Sequence, residues 1–407
     1  LLTGCDPNVA RRLGSTGEME RWRVPREVPR LAVSFLRHGY ATAAFLDHEM
    51  LAERLGLGPG FQRYEVTDSA RENELDGVGI GAIADPLLQW LRSLGRSKRW
   101  FAYVHLHDLE RSWSRPDPRW VSTFARREEL TDIPPVGNTD SVFFAIPRSR
   151  WSGGTRTIGE YMSRYDGHLA GVDQELDRIL QSLRVMGRWE DTIVVVVGTH
   201  GVQFGESGLI LTSGRYTVAD LQVPWIMRVP ELPEERRGRT IDSIASLADV
   251  APTLLELCGL PVPPGTHGKS QAELVRDPDA EPARVFAIAS CGLQDGRVMF
   301  AKRWVLEYVR PGVDVAAFSR AWYGDGLEHA EFNELFYDRT VDRFPPPWAR
   351  PATMPRAYEE MKKAGGTWER NMQQVRRVLH GGTLLHEPAT PEVIAELRKQ
   401  GYLGEDF

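Results

Sequence analysis

The stretch IVVVVG, residues 193–198, constrains the fold more than any other part of the chain. Consecutive β-branched residues favour a strand, because their stiff side chains pack well on a pleated surface. No polar residue interrupts the run to mark a solvent face. The pattern therefore predicts a central strand of a parallel sheet, covered by helices on both faces. The residues THG follow directly, which sets His200 just past the carboxyl end of that strand. In open α/β sheets this edge is where ligands bind, since its loops carry chemistry while the strands hold them in place.

The rest of the chain supplies the partners such a sheet needs. Leu31, Val33, Phe35 and Leu36 precede Gly39 and then YATAAFL, while Leu87, Leu88, Trp90, Leu91 and Leu94 precede Gly95 and then WFAYVHLHD. In YDGHLAGVDQELDRILQSLRVMG the residues Leu169, Val172, Leu176, Ile179, Leu180 and Leu183 fall at helical steps, and Gly187 closes the helix before the valine strand. A further strand, LQVPWIMRV, precedes a helix in SIASLADVAPTLLELCGLP, with Pro252 in its first turn and Gly259 at its end. This alternation predicts an α/β fold with a large mixed, mostly parallel sheet and helices on both faces. After residue 280 the texture changes to short β-like pieces such as RVMFAKRWVLEYV and NELFYD, then to helices in YEEMKKAGGTWERNMQQVRRVLH and PEVIAELRKQGYL. The expected division is an α/β domain over 1–280 and a smaller C-terminal α+β subdomain over 281–407, with a small antiparallel sheet and terminal helices.

Composition narrows the function classes. The net charge of -6, from 50 Lys+Arg against 56 Asp+Glu, offers no basic excess for nucleic acid or an anionic membrane. No apolar run is long enough to cross a bilayer. Cys5, Cys258 and Cys291 stand apart with no CxxC pair, so neither a zinc ribbon nor a disulfide framework is indicated. The motifs GxSxG, GxxxxGK[ST] and GxGxxG at a strand-to-helix turn are absent.

Two places carry candidate chemistry. His105 and His107 alternate on the strand FAYVHLHD and project from one face. Such a pair ligates a metal, with Asp108 as a further oxygen ligand, or else simply satisfies buried hydrogen bonds; the sequence leaves both readings open. The second place is His200. It is preceded by Thr199, whose neutral hydroxyl binds a divalent cation poorly compared with a carboxylate. Glu206 in FGESG supplies a nearby carboxylate in sequence, or is an ordinary solvated loop residue.

Taken in order, YDGHLAGVDQELDRILQSL, DTIVVVVGTHGVQFGESG, LQVPWIMRVP and SIASLADVAPTLLELCGLPVPPGTHGKS resemble successive landmarks of the sulfatase family within the alkaline phosphatase superfamily. VPRLAVSFLRHGYATAAFL is similar to that family's early helix and strand, NELFYD to its C-terminal sheet strand, and PEVIAELRKQGYLG to a common C-terminal ending. The resemblance implies sulfuric ester hydrolysis with a divalent cation, usually Ca2+, on a sulfate ester or another anionic small molecule or glycan. Family sulfatases make a formylglycine in a C/S-x-P-S-R motif that LLTG follows. Since this sequence begins at LLTG, the resemblance implies that the nucleophile and the paired metal-binding aspartates lie before Leu1, and that Cys5 in CDPNV is no formylglycine site.

The remaining family positions transfer residue by residue. The family's DHG supplies an Asp ligand that matches Thr199 and a His or Asn ligand that matches His200. A Lys that contacts the sulfate matches Asp47, a reversal of charge, and the His of a DPH motif falls at Glu110. His107 and Asp108 are then the catalytic candidates, and Arg215 is the nearest cation for a substrate-binding role. The resemblance thus points to a sulfatase-like protein whose machinery in this chain is impaired. The alternatives are a non-catalytic sulfatase-like protein that binds an anionic ligand or a protein partner, and an unrelated metal hydrolase built on His105 and His107. Many relatives are extracytoplasmic.

Overall fold

A computed structural model describes residues 1–5, 24, 26–47, 56–67, 81–106, 109, 120, 122–124, 157–205, 210–212, 218–290, 296–309, 334–340 and 356–379. In chain order the first elements are α1 (Leu31–Arg37), β1 (Ala41–Leu46), β2 (Arg63–Val66), α2 (Gly81–Ser93), β3 (Trp100–His105) and α3 (Ile158–Val185). There follow β4 (Val194–Val197), β5 (Gln203–Phe204), β6 (Ile210–Thr212), α4 (Val218–Leu221) and β7 (Trp225–Arg228). The last are α5 (Val250–Leu257), α6 (Ala272–Arg276), β8 (Phe286–Ser290), β9 (Gly296–Ala301), β10 (Trp304–Val309), β11 (Glu334–Asp338) and α7 (Arg356–Leu379). The fold is mixed α/β. Contacts divide it into two compact units, one of Tyr40–Ala52 and Phe61–Glu231, the other of Leu1–Gly39, Glu53–Gly60 and Leu232–Phe407.

The first unit is organised by a parallel sheet in the order β2-β1-β3. All six residues of the central strand β1 are buried, which explains why ATAAFL contains no charge. Side chains alternate across the sheet. On one face Ala41, Ala43 and Phe45, with Trp100, Ala102 and Val104 of β3, pack against Ile83, Leu87, Leu88 and Leu91 of α2 and Ile179 and Leu183 of α3. Each large apolar side chain buried there contributes about 1.5–3 kcal/mol. The ends of these helices are tied down as well. Thr157 caps α3 in a reciprocal box with Glu160, and Arg188 donates to the carbonyls of Leu94 and Gly95 at 2.8 and 3.2 Å, just past the C-terminus of α2.

The valine strand differs from the parallel arrangement expected of it. β4 pairs antiparallel with β7, Val194 opposite Arg228 and Val197 opposite Trp225, and its four valines are half-buried. A β-branched run reports an extended backbone and apolar surroundings, but direction is set by whichever strand pairs with it. Here the chain turns back through β5, β6 and α4 and lays β7 alongside. Arg228 fixes the start of β4 by donating to the carbonyls of Trp189 and Thr192 at 2.8 and 2.9 Å, with its guanidinium 4.0 Å over the Trp189 ring.

In the second unit, an antiparallel sheet of order β11-β10-β9-β8 carries α7 on one face. Met299, Leu306 and Phe336 of the sheet meet Met361 of α7. The helix approaches the sheet closely at Gly365 of KKAGGTW, where a Cβ would lie 2.9 Å from Met299 Sδ and 3.0 Å from Tyr308 Oη. Arg297 and Glu369 form an ion pair of 2.6 Å, at 4% and 7% side-chain exposure. Burial, reinforced by the Glu369 carboxylate, pushes the Tyr308 phenol above its usual range. The terminal helix expected in PEVIAELRKQGYL lies outside the described residues.

Candidate functional site

Two loci sit at strand ends in the first unit, where side chains are held by the sheet yet reach loops. The first is the loop after β4. Gly198 donates to the carbonyl of Pro224 at 3.0 Å and Gly201 to that of Asp220 at 2.8 Å, which pins both ends of the turn that carries Thr199 and His200. Both side chains are exposed. His200 Nδ1 lies 2.9 Å from the Gly201 carbonyl, which only accepts, so Nδ1 carries the proton. That tautomer leaves the Nε2 lone pair for a metal or a proton. Behind the turn, Gln203 donates to Asp220 at 2.6 Å, both side chains being buried.

The second locus lies at the carboxyl ends of β1 and β3. Leu46 is opposite His105, and Asp47 is the next residue along. Asp47 is 2% exposed, and its Oδ1 lies 3.4 Å from His105 Nδ1. Tyr103, two residues before His105 and on the same face, has its ring centroid 6.3 Å from the imidazole. Its phenol is pushed above its usual range by burial, then by Tyr64 and the Asp47 carboxylate.

The contact of Asp47 with His105 was not foreseen from sequence, where Asp47 stood only as a reversed charge. The signal was present: an acid follows a wholly apolar strand, and a histidine ends another. His107, Asp108, Glu110, Glu206 and Arg215 lie outside the described residues. Cys5 is buried, with its thiol 3.4 Å from the Gly265 carbonyl. Among the described residues no three His, Cys, Asp or Glu side chains converge on a point that would hold a metal, so Asp47, His105 and His200 do not form one such group.

A sequence profile of sulfatases matches residues 1–260. The chain belongs to the sulfatase family. It is 29% identical over 149 residues to a sulfatase of Formosa agariphila, a match that covers 37% of this chain and 29% of that protein. It is 30% identical over 125 residues to the N-acetylglucosamine-6-O-sulfatase of Bacteroides thetaiotaomicron, covering 30% of this chain and 22% of that protein. Each match thus spans less than a third of the relative's own length. A solved structure of a protein in complex with its substrate D-glucosamine-2-N,6-O-disulfate superposes with a TM-score of 0.62 at 16% identity, over 92% of this chain and 88% of that one. Neighbours of this kind give this sulfatase-family chain the fold of the alkaline phosphatase superfamily.

The divalent cation associated with the family does not fit the donors of the β4–β5 loop. A hard cation such as Ca2+ takes several oxygen ligands and gains most from carboxylates. Thr199 offers a neutral hydroxyl and His200 an imidazole nitrogen.

Proposed function

We propose that this sulfatase-family chain binds a sulfate ester of a glycan and that, with threonine at 199, it is catalytically impaired as a sulfuric ester hydrolase. The observation that carries this reading is the residue type at the carboxyl end of β4. The loop is held in place at both ends, yet the side chain before His200 is a hydroxyl where a hard cation calls for a carboxylate. In this reading His200 is the surviving ligand position, Arg215 serves the bound anion, and His107 and Asp108 are the proton-transfer candidates. The relative named for N-acetylglucosamine-6-O-sulfate and the neighbour solved with a disulfated glucosamine support a sulfated amino sugar as the first ligand to try.

The test pairs calcium titration calorimetry with turnover of 4-nitrophenyl sulfate and binding of glucosamine-6-sulfate. The unchanged chain is expected to bind the sulfated sugar, to bind Ca2+ weakly and to show no measurable turnover. Thr199→Asp adds one charged oxygen to the loop and is expected to raise Ca2+ affinity by about tenfold or more. Strong Ca2+ binding with turnover by the unchanged chain would overturn the impairment, and failure to bind the sulfated sugar would overturn the ligand class.

A further inference from the structure

We propose that the turn joining α2 to β3, together with the turn that closes α3, forms a docking surface for a sulfated polysaccharide, remote from the Thr199–His200 loop. Its preference for a polyanion comes from its own side chains; the choice of a glycan rests on the reading given above.

Residues 92–99, RSLGRSKR, hold four cations, Arg92, Arg96, Lys98 and Arg99, and no acid, in a chain whose net charge is -6. All four are exposed, as is Arg184 in the last turn of α3. Cations in a last turn complement the helix dipole, which accounts for Arg92 and Arg184 alone. Arg96, Lys98 and Arg99 lie past the end of α2, where an exposed basic run raises a positive field that draws polyanions.

The two turns are built against each other. Arg188, 8% exposed, ties them together, since it belongs to the second turn and donates to the Leu94 and Gly95 carbonyls of the first. Gly187, at φ 64°, leaves room for the Arg96 guanidinium: a Cβ there would stand 2.5 Å from Arg96 Nη2. Trp189 packs against the core and carries the Arg184 guanidinium 4.1 Å from its ring centroid, and Arg99 lies 4.6 Å over the Tyr40 ring. Arg96, Arg99 and Arg184 therefore rest on fixed seats, and less side-chain freedom is lost when an anion arrives. The acids of the second turn are Glu190 and Asp191, of which Glu190 stands 3.4 Å from Arg228.

Chemistry and place select the occupant. Guanidinium forks match the paired oxygens of an oxyanion, and cations spread over two turns suit an anion repeated along a polymer better than one isolated ion. The Arg99 carbonyl accepts from the Ala41 N–H at 2.9 Å, so the first turn lies at the amino ends of β1 and β3. Trp189, through Arg228, is tied to the start of β4, while Thr199 and His200 follow that strand's carboxyl end. The surface thus holds a long glycan by sugars other than the one at the loop.

The test follows binding of a fluorescein-labelled heparin fragment to the full chain by fluorescence polarisation, beside the same fragment desulfated and a DNA duplex of matched charge. Arg96→Gln/Lys98→Gln is compared with His200→Ala and with Lys302→Gln/Arg356→Gln, which removes two exposed cations elsewhere, and circular dichroism checks folding. Affinity for the heparin fragment is expected to fall roughly tenfold or more in Arg96→Gln/Lys98→Gln, to stay within about twofold in the other two, and to weaken with added salt. No binding of the heparin fragment, equal binding of the desulfated one, tighter binding of the duplex, or an equal loss in either comparison protein would each overturn the proposal. Glucosamine-6-sulfate should bind Arg96→Gln/Lys98→Gln as it binds the unchanged chain, so failure of that sugar to bind either protein counts against the reading of the loop and not against this surface. A second measurement needs no substitution: the heparin fragment should protect Lys98 from acetylation, read by peptide mass spectrometry. Acetylation of Lys98 at the same rate with and without it would also overturn the proposal.

Discussion

Asp249→Ala is expected to destabilise the unit that contains it by about 3–5 kcal/mol, because it leaves a half-buried guanidinium without its anion. Asp249 is fully buried and gathers three segments of chain. Its carboxylate accepts from the backbone N–H of Ser246 at 2.8 Å and of Lys269 at 2.7 Å, and from Gln271 Nε2 at 3.2 Å. Arg284 completes the set in a bidentate grip, with its Nε at 2.8 Å and a second, shorter contact from Nη2. Thr253 extends the network by donating to the Asp249 carbonyl at 2.6 Å and accepting from the Gln271 N–H at 2.9 Å. Alanine removes the one acceptor common to two amides, a carboxamide and the guanidinium. Water cannot replace it without opening the start of α5, the turn before α6 and the segment that leads to β8. Urea unfolding followed by circular dichroism measures the loss. Asp249→Ala/Arg284→Met should recover part of it, because the stranded charge goes too; a cost under about 1 kcal/mol would mean that the amides are already solvated.

Asp249 also shows what a sequence leaves unreadable. The helix around Pro252 was legible from apolar periodicity, and its closing glycine was readable too: Gly259 has φ 67°, as Gly39 and Gly187 have 82° and 64°, where a side chain would be strained. Those signals are local, since they concern residues three or four apart. The hub at Asp249 is assembled from backbone amides 3 and 20 residues away and an arginine 35 residues away. Backbone donors carry no residue identity, so no pattern announced them. The same holds for Asp47 and His105, separated by 58 residues and joined only when β1 and β3 align in register.

Strand direction was hidden for a related reason. The β-branched run of IVVVVG was read correctly as a strand, but its valines are half-buried rather than enclosed on both faces, and such a run does not name the strand that pairs with it. Family membership was legible because sulfatase landmarks are themselves local stretches in a fixed order. The Thr199–His200 pair was found through one of them, and the structure places it past the end of β4, as the order of residues required.

Gly201→Ala is expected to cost about 3 kcal/mol or more, since an added methyl there has no flexible neighbour to displace. A Cβ at 201 would stand 1.9 Å from the Ala219 carbonyl oxygen and 3.0 Å from its carbon, so the backbone itself would have to part. Separation breaks the Gly201 N–H bond to the Asp220 carbonyl, 2.8 Å, and strains the buried bond of Gln203 to Asp220 on the same pair of segments. The consequence reaches the candidate site, because the Gly201 carbonyl is what holds the proton on His200 Nδ1. The variant should therefore lose stability together with any metal affinity that Thr199→Asp confers on the loop. Gly171→Ala provides the matched control: it lies inside α3 with open space where the Cβ would go, and should stabilise by about 0.5–1 kcal/mol through helix propensity. Opposite signs for the two substitutions, in one thermal-unfolding series, would show that steric closeness at 201 and not a general intolerance of alanine keeps this turn in place. Equal, small effects would mean that α4 yields readily, and that the clamp on His200 is weaker than its contacts imply.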